Sequence, residues 1–141
     1  MTNPANKEFP ASVAAGMQYF NELIKDEQWF QTHEGKHAAI LNDSVAMVAD
    51  NPEWVASDMR HTTEAILYIP HVVRLPDSDL PEEQAYFDFL MQDPRWRSAH
   101  RVYSLAIVGR QVVGTDISQT RLRWQVTKTY GEGIFIAEVA R

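Results

Sequence analysis

The chain has 141 residues, 45% hydrophobic and 23% charged, with 19 acids against 13 bases for a net charge of −6 and no cysteine. That balance can bury a core and is unlike a disordered chain, and the lack of cysteine excludes disulfides, thiol nucleophiles and thiolate metal sites. No apolar run reaches the roughly 20 residues of a bilayer span, residues 1–8 lack the basic and apolar regions of a secretory signal, and a negative chain neutralises phosphates poorly, so the expectation is a cytoplasmic protein without membrane or nucleic-acid partners.

Residues 1–17 read as an N-terminal tail and the start of a first helix. Val13, Met17, Phe20 and Ile24 recur at three- and four-residue spacing, the period of a one-faced helix. Asp26 then suits the N-cap of a short second helix. Residues 36–41 and 44–49 flank Asn42-Asp43, residue types that tolerate the positive φ of a tight hairpin. Asp50-Asn51-Pro52 opens a third helix with a buried stripe of Val55, Met59 and Thr63. Residues 66–73 read as a closing strand, in which Pro70 requires an edge or a bulge. Residues 75–84, polar and carrying Pro76 and Pro81, read as a linker.

The same order then recurs. Tyr86, Phe89 and Leu90 mark a helix, and Asp93-Pro94 opens a short second one. Residues 102–108 and 111–115 flank the turn Gly109-Arg110. Asp116-Ile117-Ser118 opens a helix with the stripe Leu122, Val126 and Tyr130, ended by Gly131. Residues 134–140 read as the last strand.

Sliding the chain by 67 positions superposes residues 18–74 on 85–141 without a gap, with 12 identities in 57. Composition alone would give about a third of that. The rarer residues agree in order: Tyr19/Tyr86, Asp26/Asp93, Trp29/Trp96 and His33/His100. The expected fold is therefore α+β: two tandem α-α-β-β-α-β repeats related by a pseudo-twofold, each with a right-handed β-α-β crossover and a mixed sheet with helices on one face. Repeat 1 spans 18–74 and repeat 2 spans 85–141.

Gly35-Lys36-His37-Ala38-Ala39-Ile40, the Asn42-Asp43 turn, Val45-Ala46 and Asp50-Asn51-Pro52-Glu53 resemble a small, uncharacterised prokaryotic ββαβ domain family with a G-K-x-x-A-[IV] hairpin strand. Repeat 2 lacks the Gly-Lys pair. The resemblance covers about 40 residues per repeat and implies a fold and no chemistry.

Three features bear on function. His33-Glu34-Gly35-Lys36-His37 matches H-E-x-x-H, which on a helix places two imidazoles on one face with a glutamate as general base. A zinc-dependent hydrolase is the alternative it supports, with Glu53 or Glu64 as third ligand. Gly35 disfavours the required helix, and the repeat puts His37 on a strand. The second feature is the duplicated Asp-x-x-Trp-x-x-x-His. It could bring Trp29, His33, Trp96 and His100 to an interface between repeats, or serve as a capped helix whose His covers its own Trp. No nucleophile motif accompanies it, and no cofactor is expected.

The third feature is charge. Residues 18–74 carry nine acids and four bases, whereas 85–141 carry five acids and eight bases. On the helix after Ser118, Trp124 lies opposite Leu122, Val126 and Tyr130, with Arg121 and Lys128 on its side and Arg123 beside it. Trp among cations is the composition of a binding hot spot. The favoured reading is a non-catalytic protein-binding accessory or inhibitor, of the kind typified by toxin-neutralising immunity proteins. It would use this aromatic and basic surface of repeat 2, and it is compatible with a homodimer.

Overall fold

The computed structural model describes residues 9–62, 67–77 and 79–140. The chain is α+β, with six helices and two small antiparallel sheets among the described residues. Two units form, Pro10–Arg74 and Leu75–Arg141.

In the N-terminal unit, α1 (Ala11–Leu23) and α2 (Glu27–His33) precede the hairpin of β1 (His37–Leu41) and β2 (Ser44–Ala49), followed by α3 (Pro52–Arg60). The caps are those the sequence predicts. Asp26 accepts from the backbone N–H of Gln28 and Trp29 at 3.0 and 3.2 Å. Asn51 accepts from Glu53 at 2.8 Å, with Pro52 at the first helical position. Asn42 takes φ 56° in the hairpin turn.

The C-terminal unit has α4 (Glu82–Met91), α5 (Pro94–Ala99), the hairpin of β3 (Ser104–Val108) and β4 (Gln111–Asp116), α6 (Gln119–Tyr130) and β5 (Phe135–Glu138). Helix α4 begins inside the predicted 75–84 linker: Pro81 stands at its N-cap, and Glu82 and Glu83 form the first turn, where acids suit the helix dipole. Asp93, Ser118 and Gly131 cap as expected.

Corresponding registers lie 67 positions apart. β1 with β2 and β3 with β4 are antiparallel, each pair with a bulge, between Ala39 and Ile40 and between Ala106 and Ile107. The closing segment pairs Ile40 with Tyr68 and His37 with His71 in one unit. In the other, Ile107 pairs with Phe135 and Ser104 with Glu138.

Two expectations are corrected. The sheet is not mixed: every hydrogen-bonded neighbour is antiparallel, because the strand after each outer helix returns beside the first hairpin strand instead of the second. Nor do the helices share one face. Ala39 packs with Val55 and Met59 of α3, while a Cβ on Gly16 of α1 would lie 3.3 Å from Ile40. Consecutive strand residues point to opposite faces, so α1 and α3 sandwich the sheet. In the second unit the Gly114 face meets Leu122 and Val126 of α6, and Phe87 of α4 contacts Phe135. This is why β3 is buried at all five positions and β1 at its middle three. Each fully buried side chain, such as Phe20, Ile40, Leu105, Ile107 and Leu122, contributes roughly 1.5–3 kcal/mol.

The predicted strand over 66–73 is replaced, among the described residues, by two isolated bridges. Pro70 is the cause. The Ala38 N–H donates to the Pro70 carbonyl at 3.2 Å, but proline has no N–H to return the bond. Its counterpart Ala137 has one and sits in the ladder opposite Leu105. Of the predicted residues, Glu64, Ile66 and Thr63 lie outside the described ones.

Candidate binding surface on the last helix

Helix α6 turns Leu122 and Val126 to the sheet. That choice fixes its other side. Trp124 stands outward and is 62% exposed, as is Ile117 at 65% just before the helix. The Lys128 Nζ lies 4.3 Å from the Trp124 ring centroid, a cation–π contact of about 0.5–1 kcal/mol at an exposed site. Arg121 makes a two-pronged pair with Asp116, both bonds at 2.7 Å. The Asp116 carboxyl also accepts from the Ser118 N–H at 2.8 Å. The Arg121 pair and then that N–H lower the Asp116 pKa to about 2, and Asp116 raises that of Arg121. Arg121 is thus fixed in direction, whereas Arg123 is exposed. Arg123 lines a cavity of about 240 Å³ with Val126, Thr127, Glu132, Gly133, Ile134 and Ile136. Trp124, Arg121, Arg123 and Lys128 are therefore on one short helix, with Trp124 and Lys128 in contact.

Trp29 and His33 stack at 4.6 Å between centroids, and Trp96 and His100 at 3.8 Å. In each pair the His Nδ1 lies within hydrogen-bond distance of its own Trp carbonyl, 2.9 and 2.8 Å. Each stack is thus completed within its own unit. The H-E-x-x-H helix does not form: His33 ends α2, Gly35 turns the chain at φ 83°, and His37 is on β1. Glu53 sits in the first turn of α3, its backbone N–H donating to the capping Asn51, and no group of three His, Asp or Glu placed to hold a metal occurs among the described residues.

Three features escaped the sequence. His37 stacks on His71 at 4.5 Å and 13°. Burial, and then His71 beside it, push the His37 pKa down to about 4 against the opposing pull of Asp50. Burial also lowers His71. The register of a third strand would have paired them. Trp54 on α3 is 65% exposed; one step off the Val55–Met59 stripe, it was legible from helical spacing. Finally, Arg110 is buried although it sits in a hairpin turn, with its guanidinium 3.4 Å from Glu82. Buried Glu83 accepts from the Gly109 N–H at 2.9 Å. Burial raises the pKa of Tyr86, with Arg110 opposing the rise.

No helix among the described residues is long and apolar enough to cross a membrane. No family model, no curated protein and no solved structure matches the chain.

Proposed function

We propose that the chain is a non-catalytic protein-binding module, an accessory or inhibitor, made of two tandem copies of one α-α-β-β-α-β unit, with the partner seated on the outer face of α6. The tandem reading is supported by paired registers, bulges and caps 67 positions apart. The binding reading is carried by one observation: Trp124 is 62% exposed and held under Lys128 on a helix whose core side is complete without it. A large aromatic left in water beside cations has no folding role there, and such residues are enriched among binding hot spots.

The test is a photo-crosslinking residue placed at exposed Gln125, beside an intact Trp124, in the producing cells, with Ser98 on α5 as the control position. One protein species should crosslink from position 125 and not from 98. With that partner in hand, Trp124→Ala should weaken binding about 30-fold or more, the roughly 2 kcal/mol of a hot spot, with little change in melting temperature. A large fall in melting temperature would make Trp124 a packing residue and end the proposal.

A further inference from the structure

Resting on that reading, we propose that the partner contributes an acidic segment with one apolar side chain: the apolar group enters the cavity beside Arg123, and its neighbouring carboxylates meet Arg123 and Lys128. The first argument is charge. Helix α6 carries Arg121, Arg123 and Lys128 and no acid, and its first turn has no acid at all. Lys128 in the last turn suits the helix dipole, but nothing acidic on the helix balances Arg123 in its middle. Helix α3 shows the usual arrangement, with Glu53 in its first turn and Arg60 in its last. Arg121 is occupied by Asp116. Among the described residues neither Arg123 nor Lys128 has an acidic partner within salt-bridge range. Two uncompensated cations flanking an exposed Trp complement an anionic surface.

The second argument is the cavity. At about 240 Å³ it is smaller than the roughly 300–1,000 Å³ of small-molecule sites, and it suits a single side chain. Val126, Ile134 and Ile136 give it one apolar part, while Arg123, Thr127 and Glu132 make the rest polar, with one charge of each sign. Preference for a carboxylate therefore comes from Arg123 acting with Lys128. An anchor seated beside an arginine, with an exposed Trp one residue further along the same helix, has the composition of a hot spot. A nucleic-acid strand would also meet cations and stack on Trp124, but it offers no apolar side chain for the cavity.

Three fluorescein-labelled probes test this on the full chain at low salt: a peptide alternating glutamate and leucine, its lysine–leucine counterpart, and an oligo-thymidine of equal length. The glutamate–leucine peptide should bind best. Arg123→Glu should weaken it at least tenfold, and Thr127→Leu, which fills the cavity, should weaken it while amide hydrogen exchange in α6 stays unchanged. Equal binding of the lysine peptide, tighter binding of the oligonucleotide, or indifference to Arg123→Glu overturns the acidic partner. Indifference to Thr127→Leu overturns the anchor. If Trp124→Ala abolishes capture of the crosslinked protein while Arg123→Glu leaves it intact, the surface stands and this inference alone falls.

Discussion

The two units take corresponding registers and then diverge at matched positions. Where the N-terminal unit closes its sheet with Pro70 and a stacked His37–His71 pair, the C-terminal unit has Ala137 and Ser104 with Glu138, and its ladder is continuous. Where α3 carries Glu53 and Asp58 against Arg60, α6 carries three cations. Position 16 is a glycine packed on Ile40, and its counterpart, Glu83, is a buried acid bonded to the neighbouring turn. The positions that agree are caps, turns, bulges and core strands, which set the backbone. Those that differ are the ones that set charge and chemistry. The backbone plan and the surface are thus separable, and each can be tested without the other.

The largest effect should come from the matched core. Ile40 and Ile107 are both fully buried on β1 and β3, opposite the strand that carries the extra residue of the bulge, Ala46 or Val113. Ile40→Ala and Ile107→Ala should each cost about 2–5 kcal/mol, read as the opening free energy of slow-exchanging amides in the affected unit. Costs differing by more than about 2 kcal/mol would mean that the two sheets are not built alike.

Next comes acid sensitivity, confined to one unit. Above pH 6.5 His37 is neutral folded and unfolded, and nothing is lost. Below it the unfolded chain takes up a proton that the folded unit resists until about pH 4. Stability therefore falls as pH drops through that window, by about 2–3 kcal/mol for His37, with His71 acting in the same direction. The Lys36–Asp50 pair at 3.1 Å stands near the site, and Asp50 moderates the effect. His37→Ser, the residue at the matched position 104, should flatten the pH dependence of hydrogen exchange in the N-terminal unit. An unchanged slope in the variant would remove the pair from the account.

Helix caps form a third pair. Asp26→Ala and Asp93→Ala each remove a side chain that accepts two backbone N–H groups, at about 1 kcal/mol apiece. Urea titration of each variant should show matching losses. A loss at only one would mean that the other short helix is held by packing, for which the Trp29–His33 and Trp96–His100 stacks are the means.

These caps were readable from the sequence because a cap is a local bargain between one side chain and the next three N–H groups. So were the turns at Asn42 and Gly109 and the helix end at Gly131, each of which needs positive φ. The outward position of Trp124 followed from the spacing of Leu122 and Val126. What did not follow was anything requiring a partner distant in sequence. The run Leu105–Val108 is apolar without alternation, the mark of a strand covered on both faces, whereas the expected right-handed crossover had put the helices on one face. Pairing of His37 with His71 depends on strand register, and burial of Arg110 in a turn depends on Glu82, 28 residues away. Of the candidate surface, the residues were legible and the cavity beside Arg123 was not, since Ile134 and Ile136 reach it only through the fold.

The smallest effect sharpens the comparison most, because it should stabilise. Gly35 ends the α2 segment at φ 83°, and the matched residue is Val102 at φ 62°. A β-branched side chain in this region crowds its own backbone by about 1–2 kcal/mol, whereas glycine is unstrained there but loses about 0.5–1 kcal/mol more entropy on folding. Val102 is 37% exposed, so its removal forfeits little packing. Val102→Gly should therefore stabilise the C-terminal unit by a few tenths to about 1 kcal/mol, and Gly35→Val should destabilise the N-terminal unit by a similar amount. Gly35 has open space where a Cβ would stand, which isolates the backbone cost from any clash. Opposite signs for the two swaps, measured by urea titration, would establish that one backbone conformation is demanded at both positions. A loss from Val102→Gly would instead show that the valine side chain is needed at the surface beside His100 and Tyr103.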